Sequence, residues 1–240
     1  MTQRSVVSCV FALALLAGSA SAQGINLALN DCGVNGATDA PANCTTNTGL
    51  AMAMVGSAVA PAGVDRMVAC EGYIDAVTSG AFLTNWWQLD ACRLSALTFN
   101  FDFTGGPFSC NDFWGGLATG GGGIAPSHPA PNRFRIYLVC ATVAENPIEP
   151  GIEHYLFKVN ILRAKSVGTG SCPGCNDAAC LVLNRLVLNQ PDKAIGGDAV
   201  LTMPMHANFV TYNSGTVEFG CPGATPAQNR SWGQVKGLYR

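Results

Sequence analysis

Along much of the chain, apolar and polar residues take turns in short runs, and Gly, Pro, Asn and Asp break one run from the next. The clearest is Leu97 to Phe103, which reads Leu-Thr-Phe-Asn-Phe-Asp-Phe. A period of two sends alternate side chains to opposite faces of a pleated strand, so one face is apolar and the other polar. Gly24–Leu29, Val64–Val77, Phe82–Gln88, Phe134–Val143, Glu153–Ala164 and Cys180–Leu188 follow the same rule less regularly. Shorter runs at Ala199–Met203, Asn208–Tyr212 and Gly215–Phe219 complete the set. About eight to ten short strands between turn residues predict an all-β fold, an antiparallel β-sandwich or jelly roll. No long segment carries the 3.6-residue period that crossover helices would need, which excludes doubly wound and α/β-barrel folds.

Other stretches read differently. After the first strand, the small and polar residues up to position 63 predict a loop, cross-linked by its cysteines. Gly115 to Asn132, with four consecutive glycines and three prolines, predicts a long connector. Residues 223–229 predict a linker. The implied organisation is a leader at 1–22, one sandwich domain over 23–222, and a tail at 223–240.

The leader has the parts of an export signal: Arg4, an apolar run from Val6 to Leu16, and Ala20-Ser21-Ala22 as a cleavage site before Gln23. Its apolar run is too short to span a bilayer. The expected location is therefore outside the cytoplasm: secreted, at the bacterial cell surface, or periplasmic. Cys9 leaves with the leader. Ten cysteines remain: Cys32, Cys44, Cys70, Cys92, Cys110, Cys140, Cys172, Cys175, Cys180 and Cys221. An even count in an exported chain predicts disulfides. Position in the sequence suggests Cys32 with Cys44 and Cys92 with Cys110. Cys70 and Cys140 would face each other across the core, leaving the last four to pair among themselves. Cys172-Pro-Gly-Cys175 also has the spacing of a zinc knuckle, for which Cys221 or His206 could complete the ligand set, and of a redox pair. An oxidising compartment favours disulfides over both, so no metal is expected there.

The terminal decapeptide, Ser231 to Arg240, predicts a short helix. Ser231 and Gln234 have capping-box spacing. Trp232, Val235, Leu238 and Tyr239 share a face, and Lys236 lies toward the C-terminal end, where the helix dipole favours cations. Such a peptide would order against something: the body of its own sandwich, or a sorting or anchoring machinery.

At this point a resemblance enters. The tail Trp232-Gly-x-Val-Lys-x-Leu-Tyr-Arg240 resembles that of a group of uncharacterised secreted bacterial β-sandwich proteins. Asn30-Asp31-Cys32-Gly33, Asn85-Trp86-Trp87-Gln88, Pro107-Phe108-Ser109-Cys110, Asp112-Phe113-Trp114, Cys172 to Cys180 and Asn208-Phe209-Val210-Thr211 are similar to it as well. The resemblance implies export and disulfides, and implies no activity; the strand pattern also resembles cohesin and other Ig-like sandwich domains, a likeness of fold alone.

Charge narrows the partners. With Lys+Arg 13 against Asp+Glu 15, the net charge is −2, which excludes a nucleic-acid binder driven by bulk charge. No segment beyond the leader is apolar for long enough to cross a membrane as a helix. Trp86, Trp87 and Trp114, with Asp112 close by, are the candidate ligand-binding residues. An exposed indole beside amides and carboxylates can stack on a sugar ring; the competing reading has these rings capping the ends of the sandwich. His128, His154 and His206 are scattered and match no zinc-protease spacing. Asp75, Asp90, Asp102, Asp112, Glu145, Glu149 and Glu153 could supply a glycosidase pair only if the fold brings two of them together. Asp31, Asn35 and Asp39 could coordinate calcium but lack an EF-hand pattern. No catalytic residues and no cofactor are expected. The leading expectation is a non-enzymatic secreted or surface protein, structural or adhesive, whose partner is a surface glycan or another secreted protein. The alternatives are a carbohydrate-binding module using a surface Trp, and a secreted hydrolase.

Overall fold

The computed structural model describes residues 23–103, 108–191 and 197–213. The leader, the tail residues Trp232, Val235, Lys236, Leu238 and Tyr239 with their predicted helix, the run Gly215–Phe219, and Cys221 all lie outside these residues. Twelve strands are described: β1 Gly24–Leu29, β2 Asp39–Ala40, β3 Leu50–Val59, β4 Arg66–Thr78, β5 Leu97–Asn100, β6 Asn111–Asp112, β7 Thr119–Ile124, β8 Arg133–Pro147, β9 Glu153–Leu162, β10 Ala179–Asn189, β11 Ala199–Leu201 and β12 Phe209–Tyr212. They form two sheets. The five-stranded sheet runs β1-β3-β9-β5, with β6 also beside β9; the seven-stranded sheet runs β2-β12-β10-β4-β8-β7, with β11 also beside β10. All pairings are antiparallel except β2 with β12 and β6 with β9. This is the predicted β-sandwich.

The core lies between the inner faces. Ile25, Leu27 and Leu29 of β1 meet Ile74 of β4, Ile136 and Leu138 of β8, and Leu181, Leu183, Leu186 and Leu188 of β10 in one apolar cluster. The spacing of the β10 leucines shows how its register works. A bulge falls between Leu183 and Arg185, so Asn184 is the extra residue and the alternation resets after it. Leu181 and Leu183 point inward before the bulge, and Leu186 and Leu188 after it.

Three segments depart from expectation. The region predicted as a cross-linked loop contains β3, a ten-residue strand buried between β1 and β9. Its Ala, Gly, Ser and Met residues have low intrinsic strand preference, and two flanking strands override that preference. Phe82–Gln88, predicted as a strand, instead holds a 3-10 turn at Asn85–Trp87.

The Gly115–Asn132 connector contains β7, an edge strand of four successive glycines paired with β8. The reason is steric. A Cβ on Gly120 would sit 2.2 Å from the Val139 carbonyl oxygen and 2.9 Å from the Phe101 ring. One on Gly122 would sit 2.2 Å from the Tyr137 carbonyl oxygen and 2.7 Å from the Phe99 ring. Bare backbone lets the aromatic rings at the edge of the five-stranded sheet rest on the edge of the other, so the two sheets close on each other at this side.

The disulfides also pair differently. Cys32 bonds Cys110, Cys44 bonds Cys175 and Cys92 bonds Cys172. Each links parts of the chain 78 or more residues apart, where the sequence suggested short local loops. Closing loops that long restricts the unfolded chain by roughly 4–5 kcal/mol each in the chain-entropy view. The zinc-knuckle alternative ends here, because Cys172 and Cys175 belong to different disulfides. Cys180 is disulfide-bonded too. Cys70 and Cys140 do not face each other across the core; they are register partners on the neighbouring strands β4 and β8, buried as free thiols. Burial holds the Cys70 thiol well above the usual range.

The glycine strand offers a test of this packing. Gly122→Val should destabilise the fold by roughly 1–3 kcal/mol through overpacking. Gly121→Val, where nothing lies within 4 Å of an added Cβ, should change stability by less than about 0.5 kcal/mol. Urea denaturation of the two variants beside the parent measures the difference.

Candidate functional site

The predicted ligand residues are buried, which corrects the surface-Trp reading. Trp86 is 0% exposed, and Trp87 and Trp114 are each 1% exposed. Each indole N–H finds an acceptor inside, which permits complete burial. Trp86 Nε1 donates to Ser166 Oγ at 2.9 Å, Trp87 Nε1 to the Asp177 carbonyl at 3.1 Å, and Trp114 Nε1 to the Leu156 carbonyl at 2.8 Å. Trp86 and Trp87 fill one end of the sandwich with Tyr212 and Phe134. Asp112 is exposed, and its Oδ1 accepts the Trp114 backbone N–H at 2.9 Å. It anchors a turn and has no stacking ring beside it.

Several of the other candidates are held by partners of their own. The Asp90 carboxylate pairs with His128 at 3.1 Å, Glu145 with Arg66 at 2.9 Å, and Asp75 with Arg135 at 2.6 Å. Glu153 accepts from Asn26 Nδ2 at 2.7 Å and from Ser57 Oγ at 2.5 Å. Asp31 accepts both the backbone N–H and the hydroxyl of Ser109, while Asp39 Oδ1 accepts from Thr211. Among the described residues no three His, Cys, Asp or Glu side chains gather where they could hold a metal ion.

The outer faces of the two sheets differ in kind. That of the five-stranded sheet carries Val55 and Tyr155, both fully buried under Phe103, Phe108 and the Cys32–Cys110 disulfide. The segment that covers them is fastened by Asp31. Burial alone would raise the Asp31 carboxyl pKa, but hydrogen bonds from Ser109 and the Cys32 N–H outweigh it and hold the carboxyl below its usual range.

The outer face of the seven-stranded sheet is open over β4 and β8, whereas the outward Cys180, Val182 and Val187 of β10 are buried. In register across β7, β8, β4 and β10 lie Gly123, Tyr137, Tyr73 and Arg185. Tyr137 is 43% exposed and its neighbour Val139 47%. The Tyr73 ring lies between two guanidinium groups, with Arg135 Cζ at 5.8 Å and Arg185 Cζ at 5.7 Å from its centroid. Arg135 holds Asp75 with two bonds, Nε to Oδ1 at 2.6 Å and Nη2 to Oδ2 at 2.8 Å. Asn184 donates to the same carboxylate at 2.7 Å. That amide reaches Asp75 because Asn184 is the bulge residue of β10, and the same bulge sets Arg185 beside Tyr73. Asp75 keeps the Arg135 pKa above its ordinary value, opposed by slight burial. The network holds Arg135 in place, and with it one edge of the tyrosine.

None of these residues except Asp75 entered the sequence-based candidates. The signal was present in Tyr73-x-Asp75 on one strand and Arg135-x-Tyr137 on the next, each with period two. Only the β4–β8 register shows that they share a face.

No known protein family matches the chain, and a search of curated proteins finds no match. Among solved structures it is similar to a cohesin module from a family 33 glycoside hydrolase of Clostridium perfringens, at 11% identity, covering 80% of this chain and 98% of that one with a TM-score of 0.35.

Strand β9, inside the five-stranded sheet, carries a pH-sensitive group at its start. His154 is 6% exposed, and both its ring nitrogens are buried without a hydrogen-bond partner. Burial lowers its pKa, and the nearby charge of Glu149 opposes this without cancelling it. A histidine whose folded pKa is depressed takes up a proton in the unfolded chain first, so stability is full above about pH 6.5 and falls as the pH drops below it. His154→Phe should flatten the pH dependence of the melting temperature just below pH 6.5. The additional loss below about pH 4, set by Asp31, should remain. Calorimetry across this pH range checks both.

Proposed function

We propose that the chain is an exported, non-enzymatic β-sandwich module with a structural or adhesive role. It works by contact through the open face of its seven-stranded sheet. The observation that carries this reading is the paired Tyr73 and Tyr137 flanked by Arg135 and Arg185 on that face. Tyrosine supplies large contact area for little loss of side-chain freedom, arginine supplies multiple donors, and both are enriched among the residues that dominate the energetics of protein interfaces. A strand framework that fixes both rings in advance lowers the ordering cost of binding. The expected partner is another secreted or surface protein. Disulfides are compatible with an oxidising, extracytoplasmic location, and the leader supports export. The terminal peptide Trp232–Arg240 is proposed as the element that attaches or sorts the module.

Cell-surface retention tests the reading. The full chain, exported by its native host, should divide between cells and medium in favour of the cells. Tyr73→Ser with Tyr137→Ser should shift that partition toward the medium by about tenfold, the loss expected when two anchoring rings are removed. Unchanged retention of a folded double variant would remove the proposal. Glycan-array hits that vanish in the double variant would replace the protein partner with a carbohydrate.

A further inference from the structure

The outer side of β10 differs from that of β8. Leu181, Leu183, Leu186 and Leu188 point into the core, so Cys180, Val182 and Val187 point away from it. They are nevertheless only 4%, 1% and 4% exposed, whereas Tyr137 and Val139 on the same side of β8 are 43% and 47% exposed. β10 therefore carries a cover on its outer side that β8 lacks. Covering two valines takes apolar surface out of water, which is favourable in itself.

The cysteines identify an anchor for that cover. The chain has 11 of them. Cys32–Cys110, Cys44–Cys175 and Cys92–Cys172 are bridges, and Cys70 and Cys140 are free thiols. Cys180 is disulfide-bonded as well. Within a single chain its partner is then Cys9 or Cys221. Cys9 stands in the segment with the features of an export signal, ahead of the Ala20-Ser21-Ala22 cleavage motif. Cys221 stands where a bridge to Cys180 is readily closed. Thr211 of β12 is the register partner of Cys180, and neighbouring strands lie about 4.8 Å apart. β12 ends at Tyr212, and the backbone turns at Asn213 through a left-handed conformation with φ 50°. Cys221 follows eight positions later, a reach of up to roughly 26–29 Å for an extended chain. A disulfide needs its two Cα atoms within about 7 Å, so the chain can leave β12 and return to Cys180 with length to spare.

We infer that Cys180 is bonded to Cys221, and that this bridge seats the chain after β12 on the outer side of β10. The occupant of that surface is residues 214–221, which start beside Cys180 and end on it. Val182, two positions along the strand on the same side, is the apolar residue within their reach. The bond forms when the two thiols give up two protons and two electrons to a disulfide oxidant of the extracytoplasmic compartment, which leaves as a dithiol. The bridge also decides where the terminal peptide is rooted. Without it, residues 222–240 would hang from β12, a strand of four residues, and one cut in residues 214–220 would release them. With it they are fastened to β10, a strand of eleven residues paired with β4 from Ala179 to Asn189. This use of the bridge rests on the reading of the terminal peptide as the attaching element; the bond itself does not.

Peptide mapping of the mature exported protein tests the bond. Free thiols are blocked with N-ethylmaleimide during unfolding, and the chain is digested without reductant by trypsin together with a protease that cuts before Asp. Cys180 then lies alone on residues 177–185 and Cys221 alone on residues 198–230. The expected result is one species joining the two peptides, which separates on reduction with the gain of two hydrogens. Cleavage of the native protein by chymotrypsin after Phe219 tests the rooting. The fragment that begins at Gly220 should stay with the body until a reductant is added. In a folded Cys180→Ser, Cys221→Ser protein it should leave at once. The cut itself should be at least about tenfold faster there, because the segment is no longer seated and opens more often. Recovery of either peptide alone with a blocked thiol, Cys180 joined to any other cysteine, loss of the fragment from the parent without reductant, or equal cutting rates in the parent and the folded double variant would each overturn the inference. The mapping needs no variant, so it decides the matter if the double variant fails to fold. None of these outcomes involves cell-surface retention, which tests the tyrosine face separately.

Discussion

A single buried cation organises the end of the sandwich. Arg93 is 1% exposed, yet its partners are carbonyls: Nε donates to Ala164 at 2.9 Å, Nη1 to Trp86 at 2.8 Å, and Nη2 to Leu162. Its Cζ lies 3.6 Å from the centroid of the Trp86 ring. Removing the charge from water costs several kcal/mol. Three charge-assisted bonds at roughly 1.5–3 kcal/mol each, with a cation–π contact of about 1–2 kcal/mol, offset a cost of that size without a large surplus. Burial accordingly lowers the Arg93 pKa to about 10. The value of the arrangement is geometric. It fixes the segment carrying Trp86 and Trp87 to the end of β9, and so closes an end of the core that no strand covers.

Two of the disulfides meet at that closure. Cys92 precedes Arg93 and bonds Cys172, while Cys44 bonds Cys175. Trp86 stacks on Tyr212 of β12, and the Tyr212 hydroxyl donates to the Cys175 carbonyl at 3.0 Å. Two tryptophans, one arginine and two disulfides therefore tie the ends of β9, β10 and β12 into one unit. The Cys172-Pro-Gly-Cys175 turn has close spacing because it serves two separate bridges in the same corner, which a metal-binding or redox reading of that spacing misses.

The sequence made the sheets legible and left their closure obscure. Period-two runs located β4, β5, β8, β9 and β10, because a half-buried strand must alternate. The β10 bulge could be read as well: Leu181, Leu183, Leu186 and Leu188 are spaced two, three and two, and the three marks the extra residue. What failed had no periodic signal. β3 is buried on both faces and made of small residues, so nothing alternates. β7 is a strand because it lacks side chains, and glycine runs ordinarily signal loops. Trp86 and Trp87 are adjacent, and in a strand one of them would have to face outward. The 3-10 turn curls the backbone so that both enter the core. Arg93 carried no sequence signal, since an isolated arginine in a turn is nearly always solvated. The disulfide partners were unreadable for the same reason as the tyrosine face: both are set by which strands become neighbours.

The difference between the two outer faces follows from composition at the outward positions. On the five-stranded sheet these include Val55 and Tyr155, which are too apolar to leave in water, and a stapled segment covers them. On the seven-stranded sheet they include Glu71, Asp75, Arg135 and Arg185, which keep the part of the face around β4 and β8 soluble without a cover. Tyr73 and Tyr137 sit among these charges as register partners, and a solvated face gains little from two large rings there. The bulge at Asn184, the fork of Arg135 on Asp75 and the position of Arg185 all constrain the space around Tyr73. Surface ion pairs contribute about 1 kcal/mol or less to stability. A network that adds so little to folding, yet holds a tyrosine in a set position among solvated charges, is the ground on which a docking role for that face is proposed.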